Sequence, residues 1–178
     1  MKILPEQLGH DPATGRNLLL WPTSAAADVH DPTEPLTTRP FVCLLVWDAA
    51  TETVDSISKV TDALFRAGCV YLCTWGRDCE RVHDIADEGL VMMTLNGELS
   101  DDDDEDLVMT TWHDSEPLDE ALWFFLRLTT PAENYVEHCR TGLVLTINQN
   151  PERISSIRDA LMDPGSFSRQ IEDRPDYD

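Results

Sequence analysis

Runs of consecutive apolar residues recur in the middle of the chain, and an amphipathic segment follows each of them. The runs lie at 41–47, 69–75, 107–112 and 142–148. Because both faces of each run are apolar, they are typical of strands covered on both sides, as in parallel sheets. The segments that follow repeat apolar residues three and four positions apart, which predicts helices at 52–67, 78–88, 117–129 and 150–162.

Strand and helix therefore alternate four times along this part of the chain. With right-handed crossovers, that order predicts an α/β fold: an open, mostly parallel sheet of four to five strands with helices on both faces. A short apolar stretch at 90–95 is the candidate for an extra strand. The order of elements resembles that of Rossmann-like and flavodoxin-like folds, a resemblance that concerns architecture and implies no function.

The two ends of the chain have a different pattern from the middle. Residues 1–40 carry six prolines and no sustained periodicity, which predicts an irregular N-terminal arm. Within it, 17–21 is either a short edge strand or an anchor on the core. Residues 41–162 then form a single α/β domain with an acidic loop at 98–106, and 163–178 form an acidic C-terminal tail.

Charge narrows the possible partners. The chain has 34 Asp and Glu against 13 Lys and Arg, a net charge of −21. Such a surface repels phosphate backbones and anionic lipids, so we expect neither binding along a nucleic-acid groove nor docking on a membrane. No apolar run reaches the roughly 18 residues of a membrane-spanning helix.

The acidic residues are unevenly distributed. Residues 98–120 contain eleven acidic side chains and no lysine or arginine, and six of the acids are consecutive at 101–106. The run predicts a solvated loop. A concentrated negative field also steers a basic protein partner. The alternatives are a solubilising insertion and a protein from a salt-adapted source, in which high ionic strength screens self-repulsion.

The cysteines and the first residues of the sequence indicate the cellular compartment in which the protein works. The first residues lack the apolar core of a signal peptide, which is roughly 7–15 residues long. The chain has five cysteines, and an odd number argues against a framework of disulfides. These features predict a cytoplasmic protein with free thiols.

Polar and aromatic residues gather where the predicted strands end. Because parallel strands end at one edge of a sheet, we expect these residues to line a ligand crevice there. They are Trp47, Asp48, Trp75, Asp78, Trp112, His113, Asp114 and Asn148. The alternative is structural, since tryptophan caps a core well and Asp or Asn commonly caps the helix after a strand.

His113, Glu116 and Asp48 are the candidate catalytic residues. An imidazole can accept or donate a proton near neutral pH, and Asp48 or Asp114 could orient it. Glu116 or Glu120 could serve as a base or nucleophile, as in enzymes that cleave N-glycosidic bonds. The alternative is a helix N-terminus decorated with acids, which the helix dipole favours.

Cys79 and His83 are a candidate reactive thiol and its partner. Cys79 falls in the first turn of a predicted helix, where the dipole lowers a thiol pKa, and His83 is one turn further on. Cys79 also continues an apolar stripe, which favours a buried, inert thiol. A zinc site would need Cys73, Cys79, His83 and His113, but their spacing is not that of paired zinc ligands, so we predict no metal.

No cofactor is predicted either, because the glycine-rich phosphate loops and the G-x-S-x-G elbow do not occur in the sequence. The sequence therefore favours a binding or regulatory module that engages a basic protein partner or a small ligand at the carboxyl edge of the strands. The alternative is a small enzyme, of hydrolase or glycosyl-transfer type, that acts on a nucleoside-like polar substrate through His113 and a nearby carboxylate.

Overall fold

The computed structural model describes residues 4–29, 39–99 and 106–175. The strands are β1 (Glu6–Asp11), β2 (Arg16–Thr23), β3 (Phe41–Trp47), β4 (Cys69–Trp75), β5 (Met109–His113) and β6 (Thr141–Ile147). The helices are α1 (Val54–Arg66), α2 (Cys79–Leu95), α3 (Leu118–Arg127), α4 (Glu133–Val136), α5 (Pro151–Met162) and α6 (Pro164–Glu172), with a 3-10 turn at Ala26–Asp28. No helix within the described ranges is both long enough and apolar enough to cross a membrane.

The strands form one mostly parallel sheet in the order β1-β2-β6-β3-β4-β5. Only β1 is antiparallel to its neighbour, so the other five strands end at one edge, as expected. The α/β architecture is confirmed, but the described residues form a sheet of six strands and not of four or five. The predicted strands correspond to β3, β4, β5 and β6, with ends that differ by two residues at most.

Two layers of helices cover the sheet. Cys43 and Leu45 pack under α1 and α2, whereas Leu44 and Val46 pack under α3 and α5 on the other face. From β3 the chain moves outward through β4 to β5, and the crossover that contains α3 returns it to β6 on the opposite side of β3. The strand order thus reverses between β3 and β6, which is where open parallel sheets form a ligand crevice.

The N-terminal segment is not the irregular arm that its prolines predict. β1 and β2 form a hairpin, and β2 lies inside the sheet, between β1 and β6. The physical reason is a short run at 18–21 whose side chains are buried on both faces of the sheet. The part of the predicted arm at 30–38 lies outside the described residues.

The C-terminal segment is also more ordered than predicted. α6 occupies Pro164–Glu172, within the predicted acidic tail at 163–178, and residues 176–178 of that tail lie outside the described residues. The Asp163 carboxylate accepts a hydrogen bond from the Ser166 N–H, and Pro164 occupies the first turn. This pairing of a capping acid with a following proline is a helix-start signal. Trp123 Nε1 donates to Glu172 Oε1 and ties the helix to α3.

The stretch at 90–95 is helical, which corrects the prediction of an extra strand there. α2 continues through it to Leu95, with Met93 buried and Val91 and Met92 exposed. One buried side chain in a turn is the pattern of a helix and not of a strand. Most of the predicted acidic loop, 100–105, lies outside the described residues.

A buried ion pair fastens the hairpin to the helices. Asp11 is only 1% exposed, and its carboxylate lies 2.7 Å from Arg127 Nη1 at the end of α3. Arg127 Nη2 also donates to the Pro164 carbonyl, which brings the start of α6 to the same point. Nearby, Arg16 of β2 donates to the hydroxyl and carbonyl of Thr129. The first and last elements of the chain therefore share one anchor.

Replacing Arg127 should destabilise the fold, because Asp11 would keep a buried charge without its cation. We expect Arg127→Met to lower the free energy of unfolding by about 3–5 kcal/mol in urea denaturation followed by circular dichroism. Lys59→Met is the control, since Lys59 pairs with Asp55 at the surface and should change stability by less than about 1 kcal/mol. Equal losses in the two variants would contradict the role of the anchor.

Candidate functional site

The three tryptophans at the strand ends do not line a single crevice. Trp47 is 2% exposed and packs in the core under α1 and α2. Trp75 packs on the opposite face, beneath α3 and α5. Trp112 is 44% exposed and lies beside His83 of α2, with the two ring planes tilted by 56°. The sheet therefore separates Trp75 from the other two.

The register of the strands explains this separation. Residues paired side by side in a parallel sheet point to the same face. Trp75 pairs with Val46 and not with Trp47, and Trp112 pairs with Thr74 and not with Trp75. Each offset of one residue turns the next indole to the other face.

His113 shares the face of Trp75, with which it pairs in the sheet. Its ring is 4% exposed and lies 4.5 Å, centroid to centroid, from that of Phe124. Nδ1 is 2.9 Å from Glu116 Oε2, and Nε2 is 3.2 Å from the Thr111 hydroxyl. Both ring nitrogens thus have partners within the protein, and the solvent-accessible member of the pair is Glu116, whose side chain is 41% exposed.

Trp75 links this pair to the start of α5. Its indole Nε1 donates to the Glu116 carbonyl at 2.9 Å. The guanidinium of Arg153 lies 5.1 Å from the centroid of the indole ring and also donates to Gln149 Oε1 at 2.6 Å. His113, Glu116, Trp75 and Arg153 form what we call the imidazole cluster. Arg153 and Gln149 were not predicted from the sequence, although Gln149 directly follows the predicted strand at 142–148 and Arg153 lies in the first turn of the helix predicted at 150–162.

Asp48 is at the same edge but belongs to a different set of contacts. Its carboxylate is exposed and lies 3.6 Å from Arg77 Nη1. Arg81 bonds both Asp78, at 2.6 Å, and the Ala49 carbonyl, at 2.7 Å, and so ties the loops after β3 and β4 together. Among the described residues, Asp48 forms no hydrogen bond or ion pair with His113.

Asp114 and Asn148 are exposed at the edge, outside the imidazole cluster. Asp114 accepts a hydrogen bond from the Ser115 hydroxyl. Asn148 adopts a left-handed backbone conformation, with φ of 52°, and its N–H donates to the Thr23 carbonyl at 2.9 Å. Neither side chain bonds His113 or Glu116 among the described residues.

His83 is the centre of a second group, which we call the α2–β5 cluster: His83, Asp84, Asp87, Thr110 and Trp112. The ring of His83 lies 4.6 Å from that of Trp112, and its Nε2 is 3.1 Å from the Thr110 hydroxyl. Asp84 and Asp87 lie 3.2 and 3.5 Å from its two nitrogens. Thr110 also donates to Asp87. These contacts hold an exposed indole against α2.

Cys79 has the environment of an inert thiol. It is 1% exposed, and burial raises its pKa. The partners of His83 belong to the α2–β5 cluster, and no hydrogen bond joins His83 to Cys79. Within the described ranges, no group of three or more His, Cys, Asp and Glu residues is arranged to hold a metal ion.

Comparison with known families places residues 23–164 in the family described as a domain of unknown function (DUF7684). The match covers most of the chain, so the protein belongs to this family. It runs from the last residue of β2 to the first residue of α6 and thus includes both clusters. No curated protein matches the chain.

The thiols should react slowly in the folded protein. All five cysteines are free and buried, and burial raises the pKa of Cys73 to about 12 and that of Cys79 above its ordinary value. A raised pKa keeps the thiol protonated near neutral pH, so we expect slow labelling by a disulfide reagent until the protein is denatured.

The same shifts predict lower stability in alkali. The folded state holds the thiol protons more tightly than the unfolded chain does. The stability that this difference contributes is present below the ordinary pKa of 9.0 and is lost as the pH rises through the pKa values of the folded state.

In the labelling experiment, rapid reaction at neutral pH that disappears in Cys79→Ala would instead support a reactive Cys79.

Proposed function

We propose that this protein is a binding module that engages a basic protein partner through the side of the fold formed by α2, β5 and the start of α3. One observation carries the proposal: no lysine or arginine occurs between Val82 and Leu126. The acids of that stretch are Asp84, Asp87, Glu88, Glu98, Asp101, Asp102, Asp103, Asp104, Glu105, Asp106, Asp114, Glu116, Asp119 and Glu120. Because α2 lies beside β5 at one end of the sheet, the described acids on α2 and next to β5 reinforce each other.

Of the acids in this stretch that the structure describes, few pair with a lysine or arginine. Glu98 pairs with Arg66 at 3.1 Å, and Asp119 pairs with Arg174. Among the described residues, the other acids of the stretch form no salt bridge with a lysine or arginine. A field of one sign attracts a basic partner and speeds its association, and added salt weakens both effects. The free, buried cysteines support a cytoplasmic setting for this interaction.

Neutralising acids on the proposed side should weaken binding more than neutralising the same number elsewhere. Asp84→Asn/Glu88→Gln/Glu120→Gln removes three exposed charges there, and Glu133→Gln/Glu152→Gln/Asp159→Asn removes three exposed charges from α4 and α5. The probe is an oligolysine peptide of about twenty residues, followed by fluorescence anisotropy. We expect the first variant to bind about tenfold more weakly than the second, with affinity falling as salt is raised. Equal losses in the two variants, or binding that is insensitive to salt, would contradict the proposal.

The hydrogen bond between His113 and Glu116 favours a second candidate function. A carboxylate that is partly exposed and held by a buried imidazole is suited to general acid–base or nucleophilic work. This supports a small hydrolase or glycosyl-transfer enzyme for a nucleoside-like polar substrate, and Asp48 would have to leave Arg77 to take part. The strand reversal between β3 and β6 supports a Rossmann-like or flavodoxin-like layout, with a ligand crevice beside the imidazole cluster.

The enzyme candidate is tested by release of free base from a panel of purine and pyrimidine nucleosides. We expect His113→Ala and Glu116→Gln each to lower turnover by at least about 100-fold. His138→Ala, which replaces an exposed histidine elsewhere, should keep full activity. Circular dichroism checks that each variant is folded. Full activity in Glu116→Gln, or no base release by the wild-type protein, would rule this candidate out.

A further inference from the structure

We propose that the outer edge of β5 accepts an extended, basic segment of the partner as an additional strand of the sheet. This inference rests on the proposed binding function and specifies both the surface and the conformation of what binds there. It is carried by three features of the edge: open backbone groups, an exposed aromatic side chain and an acidic surrounding.

The backbone of β5 is available on one side. β5 pairs with β4, and no strand of the described ranges pairs with its other side. The Thr74 hydroxyl donates to the Thr111 carbonyl, so the backbone of Thr111 faces β4. Successive residues of a strand direct their N–H and C=O groups to opposite sides. Those of Thr110 and Trp112 therefore point away from β4, as an added strand requires.

The two edges of the sheet differ in how they are protected. At β1 the register shifts between Gln7 and Gly9, and Gly9 lies directly against the Leu161 carbonyl of α5. Such irregularities and coverings block the addition of further strands. β5 has a regular register with β4 and contains no proline, lysine or acid. Among the described residues, β5 thus lacks the bulge, proline and charged side chains that commonly prevent pairing at an edge.

Trp112 supplies an apolar contact at this edge. Its side chain is exposed, yet its position is fixed by the His83 ring, which Thr110 and Asp87 hold in turn. An aromatic side chain that is ordered before binding loses little entropy when a partner covers it. Such residues commonly dominate the affinity of protein interfaces.

The charge around the edge selects the partner. Asp84 and Asp87 lie in the helix beside β5, and Asp106 and Asp114 flank the strand in sequence. A segment with basic residues at every second position would direct them all to the face of α2, where Asp84 and Asp87 lie. A second copy of this chain would bring the same acids against each other, so charge disfavours an edge-to-edge dimer.

The experiment compares two peptides of equal length and charge. One alternates lysine with valine over about nine residues, and the other alternates lysine with proline. Because proline has no backbone N–H, every second residue of the second peptide cannot donate a hydrogen bond to a sheet. We expect the lysine–valine peptide to bind at least about tenfold more tightly. In nuclear magnetic resonance it should slow the hydrogen exchange of the Thr110 and Trp112 amides.

Variants locate the contact. Trp112→Ala should weaken binding of the lysine–valine peptide by about tenfold, with Trp112→Phe restoring most of it. Met162→Ala, which removes an exposed apolar side chain at the end of α5, should have no effect. Circular dichroism verifies that the Trp112 variants are folded.

The outcomes separate this inference from the function on which it rests. If both peptides bind equally and salt weakens both, strand addition is overturned and the basic-partner proposal stands. If neither binds, both proposals fail. Slowed exchange at another strand, or a dimer that forms with rising protein concentration and protects the Thr110 and Trp112 amides, would assign the edge of β5 a different role and overturn the inference.

Discussion

The parallel strands β3, β4 and β5 bring their carboxyl ends to one edge of the sheet. In the register of these strands, each of the three tryptophans is offset by one residue from the next. That offset decides which side chains can act together, because a shift of one residue moves a side chain through the sheet to the other face. It places Trp75 in register with His113, and so the two share the face of α3 and α5. It also turns Trp112 towards α2, where it meets His83. The two clusters of the site follow from the register and are not independent features.

Much of the fold was predictable because burial on both faces leaves a clear signal in the sequence. β3, β4 and β6 are seven-residue strands, and every residue of β3 and β6 is buried. The run inside β2 is shorter, and Pro22 follows it directly, so its sequence resembles that of a loop as much as that of a strand. It forms a strand because β6 and β1 pair with it on its two sides. These are tertiary contacts, which the local sequence does not specify. α6 differs, since its Asp-Pro start was visible in the sequence and was outweighed by the acidic composition around it.

The candidate site was predictable in its location and not in its grouping. Parallel strands with polar ends necessarily gather those ends at one edge, and the structure has them there. Which of them touch depends on register and on rotamers, which a single sequence does not specify. Glu116 bonds His113, the place that the sequence predicted for Asp48 or Asp114, whereas Asp48 pairs with Arg77 and Arg153 reaches Trp75 from α5. Arginines that follow a strand end therefore decide, as much as acids do, which side chains at such an edge contact each other.

The acidic residues around β5 bear directly on what can pair with its free edge. An open edge is a hazard in an ordinary protein, because any strand can add to it, including that of a second copy. In the proposed interaction, the acids around the edge would repel identical chains and attract a basic segment, so one device would provide both protection and selectivity. Placing lysine on the strand itself would block every partner alike. The described acids lie instead beside β5, on α2 and at either end of the strand, and β5 itself contains none.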